Sequence, residues 1–200
     1  IKRSKIFHYG SLSMTHDKNY EATQYAIQVA KDNGCLISFD PNLRLSLWKT
    51  PEEARRRILY GMKQCDIMKI SEEEVAFVSE QESLEKGVSF IRDNSDIKIL
   101  FVTLGNKGSI AYYKDEKIYC GGIHQEHVVD TTGAGDTFCG AVLSRILELG
   151  TDALTEKDIR EMLLFANAAA SIVVTRKGAL CSMPEPEEIR AASSLIDKVL

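Results

Sequence analysis

Short apolar clusters alternate along this chain with longer stretches in which apolar residues recur every three or four positions. The clusters LISF, IKIL and FVTL are rich in Ile, Val and Phe and lack the apolar–polar alternation of a half-exposed strand. This pattern is typical of parallel strands that are covered on both faces, and it predicts strands at residues 6–10, 36–40, 66–71 and 99–105. The helical spacing predicts helices at residues 18–33, 50–64, 72–79, 84–93, 135–149, 156–175 and 185–200.

Two local signals refine these boundaries. Thr50-Pro51-Glu52-Glu53 places a capping Thr before a Pro and a Glu, which is typical of a helix start. Residues 108–114 and 117–120 flank Asp115-Glu116 and predict a tight hairpin at one edge of the sheet. The alternation of strands and helices therefore predicts an α/β fold with a doubly wound, mostly parallel sheet flanked by helices. The sequence contains no internal repeat or linker-like segment, so we expect a single domain.

The composition excludes several classes of function. The chain has 200 residues, with 25 Lys and Arg against 29 Asp and Glu, which gives a formal net charge of −4. This mild acidity argues against nucleic-acid and anionic-membrane partners, since both require a basic face. The five cysteines are scattered and lack the spacing of metal ligands, so we expect reduced thiols and a cytoplasmic protein.

The most informative stretch is D-T-T-G-A-G-D-T-F-C-G-A at residues 130–141. Gly133, Ala134 and Gly135 precede an amphipathic run, so backbone N–H groups at the start of a helix can face an anion without obstruction by side chains. Asp136 lies at the mouth of this site, where a carboxylate can accept a proton from a hydroxyl that attacks a bound phosphate. The alternative is that Asp136 only stabilises the helix dipole.

This stretch resembles the C-terminal signature of the pfkB (ribokinase-like) carbohydrate kinases. The resemblance implies the ribokinase-like version of the predicted fold and an ATP-dependent phosphotransferase that acts on an alcohol group. It also implies that Asp136 is the catalytic base and contacts the sugar, and that Gly133, Ala134 and Gly135 form the anion hole for the transferring phosphoryl group.

Two further segments are similar to nucleotide-binding parts of the family. T-L-G-N-K-G resembles a turn beside the nucleotide phosphates and ribose, which implies nucleotide contacts for Thr103, Gly105 and Gly108. F-A-N-A-A-A resembles a small-residue helix that borders the adenine, with Asn167 nearest to it. The alternatives are an ordinary glycine-bounded turn and close helix packing.

The resemblance also implies ion sites. The segment from Val173 to Pro184 looks like the loop that closes a K⁺ site in many members. By analogy, the ion would contact Asp130, Ser182 and the carbonyls of Thr132, Val173 and Gly178, all of them oxygen ligands that suit a hard cation. The alternative is an ordinary helix end at Gly178.

D-I-M-K-I-S-E-E-E occupies the place of the family's N-x-x-E motif. The resemblance implies that Glu74 acts through water on Mg²⁺, although Ser71 stands where Asn is usual. Lys69, at the end of the same strand, faces either a nucleotide phosphate or solvent. The alternative for Ser71 is a helix cap followed by glutamates that favour the dipole.

The segment F-D-P-N-L-R-L-S-L-W carries the substrate information. Asp40 and Asn42 lie at the end of a predicted strand, where ligands of open α/β sheets bind, and Arg44 offers several donors to a phosphate, a carboxylate or sugar hydroxyls. The segment looks most like the fructokinase branch, which implies D-fructose as the substrate. The alternatives are a 2-dehydro-3-deoxygluconate kinase or another sugar kinase of this family, an inactive nucleotide-binding relic, and a merely capped turn with a buried Trp48.

The start of the chain bears on its extent. It begins at Ile1 without a Met and soon enters a strand, and the resemblance runs from Phe7 to about Pro186. We therefore expect residues 1–200 to form the C-terminal nucleotide-binding and catalytic part of one kinase domain, without its lid and with little sugar kinase activity alone. In this family the dimer contacts, where present, come from the N-terminal portion, which leaves a homodimer open.

Overall fold

The computed structural model describes residues 1–196, and the chain divides into two compact units. The first unit comprises Ile1–Val102 and the second begins at Thr103. Each unit is built from the elements that the sequence predicts, and each is described separately below. Among the described residues, no helix combines the length and the apolar character that crossing a membrane requires.

The first unit is a parallel β/α arrangement. Strands β1 (Ile6–Gly10), β2 (Leu36–Asp40), β3 (Ile67–Ser71) and β4 (Ile99–Thr103) lie side by side in chain order. The pairs β1–β2 and β2–β3 are parallel, with Gly10 opposite Asp40. The connecting helices are α1 (Asp17–Asp32), α2 (Pro51–Met62), α3 (Glu72–Ser79) and α4 (Leu84–Asp93). Because parallel strands end at one edge, Gly10, Asp40 and Ser71 share that edge.

Strands β2, β3 and β4 of the first unit are buried along nearly their whole length, whereas in β1 only Tyr9 is buried. Phe39 of β2, Met68 and Ile70 of β3 and Phe101 of β4 are all fully buried. This confirms the prediction from the unbroken apolar clusters, because a strand covered on both faces has no polar side. Gly61 of α2 allows the helix to approach closely, since a Cβ there would lie 2.7 Å from the Phe39 ring.

The second unit combines a hairpin with three helices. Strands β5 (Gly108–Tyr113) and β6 (Glu116–Gly121) pair antiparallel, with Tyr113 opposite Glu116, which confirms the predicted hairpin. The helices are α5 (Ala134–Leu149), α6 (Glu156–Val173) and α7 (Pro186–Ile196). Helix α6 packs against α5, α7 and both strands of the hairpin, and small residues such as Ala166 and Ala169 are buried along it.

Local capping chemistry accounts for several boundaries. The Thr50 hydroxyl accepts a hydrogen bond from the Glu53 amide, as the sequence predicts for the start of α2. Strand β4 ends at Thr103 rather than at residue 105, because the Leu104 amide bonds the Gly108 carbonyl at 2.8 Å and closes a turn. The predicted last helix begins at Pro186, and its residues 197–200 lie outside the described residues.

Candidate active site

A buried ion pair occupies the end of strand β2 in the first unit. The Lys69 Nζ lies 3.1 and 3.3 Å from the two Asp40 carboxylate oxygens, and the two residues are only 7% and 3% exposed. Burial raises the pKa of Asp40 to about 6, although the Lys69 charge opposes this rise. The structure thus gives Lys69 a partner inside the protein, and its predicted contact with a nucleotide phosphate stays a prediction.

Glu74 connects the start of α3 with the segment that follows β2. Its Oε2 accepts from the Ser71 amide at 2.9 Å, while the Ser71 hydroxyl accepts from the Glu74 amide, which completes a capping box. Its Oε1 accepts from the Leu43 amide at 2.7 Å. Each oxygen keeps a further lone pair, so the donor set also fits a water-mediated contact to Mg²⁺, as the sequence predicts.

The predicted sugar-binding residues lie in a tight turn after β2. Asn42 has a φ of 44°, in the left-handed region that non-glycine residues seldom adopt. Its amide donates to the Asp40 Oδ1 at 3.2 Å. Arg44 is exposed, and its guanidinium has no ion pair within the described part of the chain. In this turn the Asn42 amide is bonded to Asp40, whereas the Arg44 guanidinium is available to a ligand.

The predicted anion hole lies at the start of α5 in the second unit. Gly133 immediately precedes the helix with a φ of 84°, and this left-handed backbone is the reason for a glycine there. Over residues 1–196, no side chain bonds to this helix start. The Ala134 amide bonds the Thr131 carbonyl at 3.3 Å, so the open donors belong to Gly135 and Asp136, because the first turn of a helix leaves its amides unpaired.

Asp136 is exposed at this helix start. It is the one acidic residue in the first turn of α5. The next residue, Thr137, is buried, so the helix changes within one position from solvent to core. The arrangement places an accessible carboxylate beside open amide donors, which is the combination that proton abstraction next to a bound phosphate requires.

Three of the five predicted K⁺ ligands, Asp130, Gly178 and Ser182, are connected through the loop between α6 and α7. Asp130 accepts from the amides of Thr132 at 2.9 Å and of Gly178 at 3.3 Å, and the buried Ser182 hydroxyl lies 2.6 Å from the Gly178 carbonyl. Hydrogen bonds from Thr132 and Gly178 lower the pKa of Asp130. The carbonyl of Val173 accepts from the Arg176 amide, which leaves it one lone pair.

These groups fit a monovalent cation in their chemistry, because they are carboxylate, hydroxyl and carbonyl oxygens. A search of residues 1–196 finds no cluster of three His, Cys, Asp or Glu side chains that could hold a metal ion. A site that depends on carbonyl oxygens would not form such a cluster.

The T-L-G-N-K-G segment forms a tight turn between β4 and β5. Gly105 and Gly108 both have positive φ, of 61° and 107°. A Cβ at Gly108 would lie 2.2 Å from the Cys120 carbonyl oxygen, whereas one at Gly105 would meet nothing within 4 Å. The half-buried Thr103 ends β4 just before the turn. Gly108 is thus required by packing, and Gly105 lies at the exposed tip.

Asn167 forms hydrogen bonds within the protein, in addition to the contact with adenine that is predicted for it. Its side-chain amide donates to the carbonyls of Cys120 and Gly121, each at 3.2 Å, and its Oδ1 accepts from the Ser109 hydroxyl at 2.9 Å. The residue is 7% exposed and joins α6 to the hairpin. The contact with adenine stays a prediction.

The comparisons with known proteins identify the family. The family model for pfkB family carbohydrate kinases matches residues 1–186. The chain belongs to this family. It is 40% identical over 200 residues to the probable fructokinase-3 of Arabidopsis thaliana and 42% identical over 191 residues to fructokinase-1 of Zea mays. These alignments cover 99% and 94% of this chain but 56% and 58% of the relatives, so the chain spans about half the length of the curated relatives it matches.

Solved structures give the same result. The Vibrio cholerae O395 fructokinase with fructose, ADP and calcium ion has a TM-score of 0.85 at 31% identity, covering 93% of this chain and 59% of that one. A double mutant of it with fructose, ADP and potassium ion scores 0.87 at 30%, covering 96% and 61%. An E. coli putative ribokinase II with ATP and Mg²⁺ scores 0.81 at 30%, covering 96% and 59%. These likenesses confirm the predicted ribokinase-like fold.

Within this pfkB family chain, sequence reasoning missed the roles of two carboxylates. It singled out Asp40 only as a strand end, and it assigned Glu74 to a metal without its bond to the Leu43 amide. Asp40 and Lys69 are 29 positions apart, and Glu74 and Leu43 are 31 apart. The one available signal was that Asp40 and Lys69 are charged residues inside or at the end of apolar strands, where a charge requires a partner.

Proposed function

We propose that this chain is the nucleotide-binding and catalytic part of an ATP-dependent sugar kinase that phosphorylates D-fructose. The observation that carries the proposal is the start of α5, where the exposed Asp136 carboxylate lies beside the open amides that follow Gly133. Membership of the pfkB family and the similarity to fructokinases support the reaction class and the sugar.

In the proposed reaction, a sugar hydroxyl attacks the terminal phosphorus of ATP. Asp136 accepts the hydroxyl proton, the new oxygen–phosphorus bond forms, and the bond to the departing ADP oxygen breaks. The anion hole of Gly133, Ala134 and Gly135 stabilises the negative charge on the transferring group, with the open N–H groups of Gly135 and Asp136 as its donors. In such reactions the protein contributes mainly positioning and electrostatic stabilisation, and one donor of this kind is commonly worth about 10²–10³ in turnover.

ATP, Mg²⁺ and K⁺ are the cofactors of this proposal. We assign the contacts with ATP to Thr103, Gly105, Gly108 and Asn167. Lys69 contacts the ATP phosphates in this proposal. Glu74 would act on Mg²⁺ through water, and K⁺ would take the oxygens of Asp130, Thr132, Val173, Gly178 and Ser182. Bound Mg²⁺ neutralises charge on the phosphates. Structures of relatives with ATP and Mg²⁺, and with a potassium ion, support this set.

The sugar side of the proposal consists of Asn42 and Arg44. The free guanidinium of Arg44 also favours a second candidate, a 2-dehydro-3-deoxygluconate kinase, because a planar fork of donors suits the carboxylate of a sugar acid. We further propose a cytoplasmic location, which the five free thiols support, and we leave a homodimer as a proposal.

The test is ADP release by the complete gene product with ATP and Mg²⁺, with and without K⁺, against fructose and 2-dehydro-3-deoxygluconate. The proposal expects fructose-dependent ADP release that K⁺ increases. Faster turnover of the sugar acid would favour the second candidate. ATP binding without ADP release for any sugar would contradict both candidates and support an inactive relic.

A further inference from the structure

The sugar-binding turn holds an unfavourable backbone conformation. Asn42 has a φ of 44°, which costs a residue with a Cβ about 1 kcal/mol or more. Such a conformation persists only where the surroundings fix it. Two acidic side chains bond successive amides of this turn, since Asp40 accepts from Asn42 and Glu74 accepts from Leu43.

We propose that Asp40 and Glu74 are positioning residues that fix the turn for sugar binding, with Lys69 as the internal counter-ion. We call these three residues and the two amides the carboxylate clamp. The expected change in the KM for the sugar rests on the proposed function. The two hydrogen bonds that hold the turn do not depend on activity. It gives the sugar site residues that shape selectivity without contacting the sugar.

The burial of Asp40 supports this role. Asp40 is 3% exposed, and its carboxylate contacts Lys69 and accepts a hydrogen bond from the Asn42 amide. A carboxylate so deeply buried is costly without a cation and hydrogen bonds. The ion pair therefore holds both carboxylate oxygens of Asp40, and the Asn42 amide donates to one of them, Oδ1.

The hydrogen bonds of Glu74 support its role as the second positioning residue. Its two oxygens serve two different segments, the Ser71 amide at the start of α3 and the Leu43 amide in the turn. A helix cap requires only the first bond, as the capping box shows. The second bond, at 2.7 Å, ties the turn to α3. Because α3 directly follows β3, this bond connects the turn to the sheet and restricts the movement of the turn.

The backbone beneath the turn is equally constrained. The Ser11 amide donates to the Pro41 carbonyl at 3.1 Å, and a Cβ at Gly10 would lie 3.1 Å from the Asp40 carbonyl oxygen. The turn is thus fixed on one side by the end of β1 and on the other by the two carboxylates. Displacing either carboxylate leaves Asn42 free to return to an ordinary conformation.

The first test is Glu74→Gln, with Glu73→Gln as the matched control, because Glu73 is exposed on the same helix turn and does not bond the turn. A glutamine has one oxygen in place of two acceptors, so it cannot serve both amides. We expect the KM for the sugar to rise about tenfold, the value of one charge-assisted hydrogen bond. The kcat and the KM for ATP also change, because the proposed function places Glu74 at Mg²⁺, so the sugar KM is the kinetic value specific to the clamp. The control is expected to change none of these values.

The second readout is amide hydrogen exchange of Leu43, which needs no activity. In the unaltered chain we expect a protected Leu43 amide, and in Glu74→Gln a loss of protection of about tenfold. Trp48, the chain's one tryptophan and a buried residue six positions after Asn42, gives a fluorescence check that the variant is folded.

The outcomes separate the two proposals. A protected Leu43 amide in a protein that phosphorylates no sugar would overturn the proposed function and leave the clamp standing. A Leu43 amide whose exchange is the same in both proteins would overturn the clamp. If Glu74→Gln fails to fold, Asp40→Leu combined with Lys69→Met replaces it, because that pair leaves no buried charge and removes the acceptor of the Asn42 amide. An unchanged sugar KM in this folded double variant would also overturn the clamp.

Discussion

The two units of this chain use acidic residues in opposite ways. In the first unit, Asp40 and Glu74 are occupied by protein donors, and Asp40 is buried with a cation beside it. In the second unit, Asp136 is exposed at the start of α5. Within residues 1–196, no side chain caps the amides of this helix start. In our proposals, the first arrangement holds a turn in place and the second accepts the proton of a ligand hydroxyl. The comparison of Asp40 with Asp136 therefore separates a carboxylate that is bonded within the protein from one that is open to a ligand.

The largest effect is expected from Asp136→Asn. The amide cannot accept a proton from the sugar hydroxyl, so turnover of the complete gene product should fall about 10²–10⁴-fold, while ATP binding and thermal stability stay near those of the unaltered protein. Steady-state kinetics together with calorimetric ATP titration checks this. Turnover within a factor of about three of that of the unaltered protein would show that Asp136 is not the catalytic base.

The next effect is expected from Lys69→Met, which removes the counter-ion of Asp40. A buried carboxylate without its partner should cost about 3–5 kcal/mol of unfolding free energy, measured by urea denaturation. The double variant Asp40→Asn with Lys69→Met should recover most of the loss, because neither charge remains. A single variant as stable as the unaltered chain would show that the pair does not support the fold.

A smaller contrast is expected between two glycines of one turn. Gly108→Ala places a Cβ 2.2 Å from a backbone carbonyl at a φ of 107°, whereas Gly105→Ala has free space at a φ of 61°. Gly105→Ala should cost only the strain, about 1–2 kcal/mol, and Gly108→Ala clearly more. Thermal unfolding of both variants measures the difference. Equal costs would mean that the turn can move to make room.

The last effect is a pH dependence that comes from Asp40. Its pKa in the folded chain is raised to about 6 from 3.8, so the folded state holds a proton more tightly than the unfolded state. This contribution to stability is fully present below about pH 4 and is lost as the pH rises to about 6. The stability of the unaltered chain relative to Asp40→Asn should therefore fall over this range in urea titrations. A difference that stays constant from pH 4 to 7 would contradict the raised pKa.

Most of the fold could be predicted from local sequence. The apolar clusters, the Thr50 cap and the small residues before α5 each act within a few positions, so the pattern indicates the element directly. Strand β2, helix α3 and helix α4 begin and end at the predicted residues. Boundaries such as the end of β4 at Thr103 depend on a turn that closes through Gly108, which a strand pattern does not contain.

The site was predictable in its residue types and less so in its partners. Gly133 and Asp136 could be singled out because a helix start is a local feature. The inward-facing amide of Asn167 could not, since its partners Ser109 and Cys120 lie 58 and 47 positions away. The same holds for the bond between Glu74 and Leu43. Whether a polar side chain is open to a ligand or bonded within the protein depends on such distant contacts.

We propose that Asp136 of the second unit accepts the proton and that Glu74 of the first unit fixes the sugar-binding turn. The most direct measurement compares kcat and the KM for the sugar in Asp136→Asn and Glu74→Gln, assayed side by side. We expect Asp136→Asn to lower kcat about 10²–10⁴-fold without a tenfold rise in the KM for the sugar, and Glu74→Gln to raise that KM about tenfold with a smaller loss of kcat than Asp136→Asn. The reverse assignment, or the same pattern in both variants, would contradict this proposal.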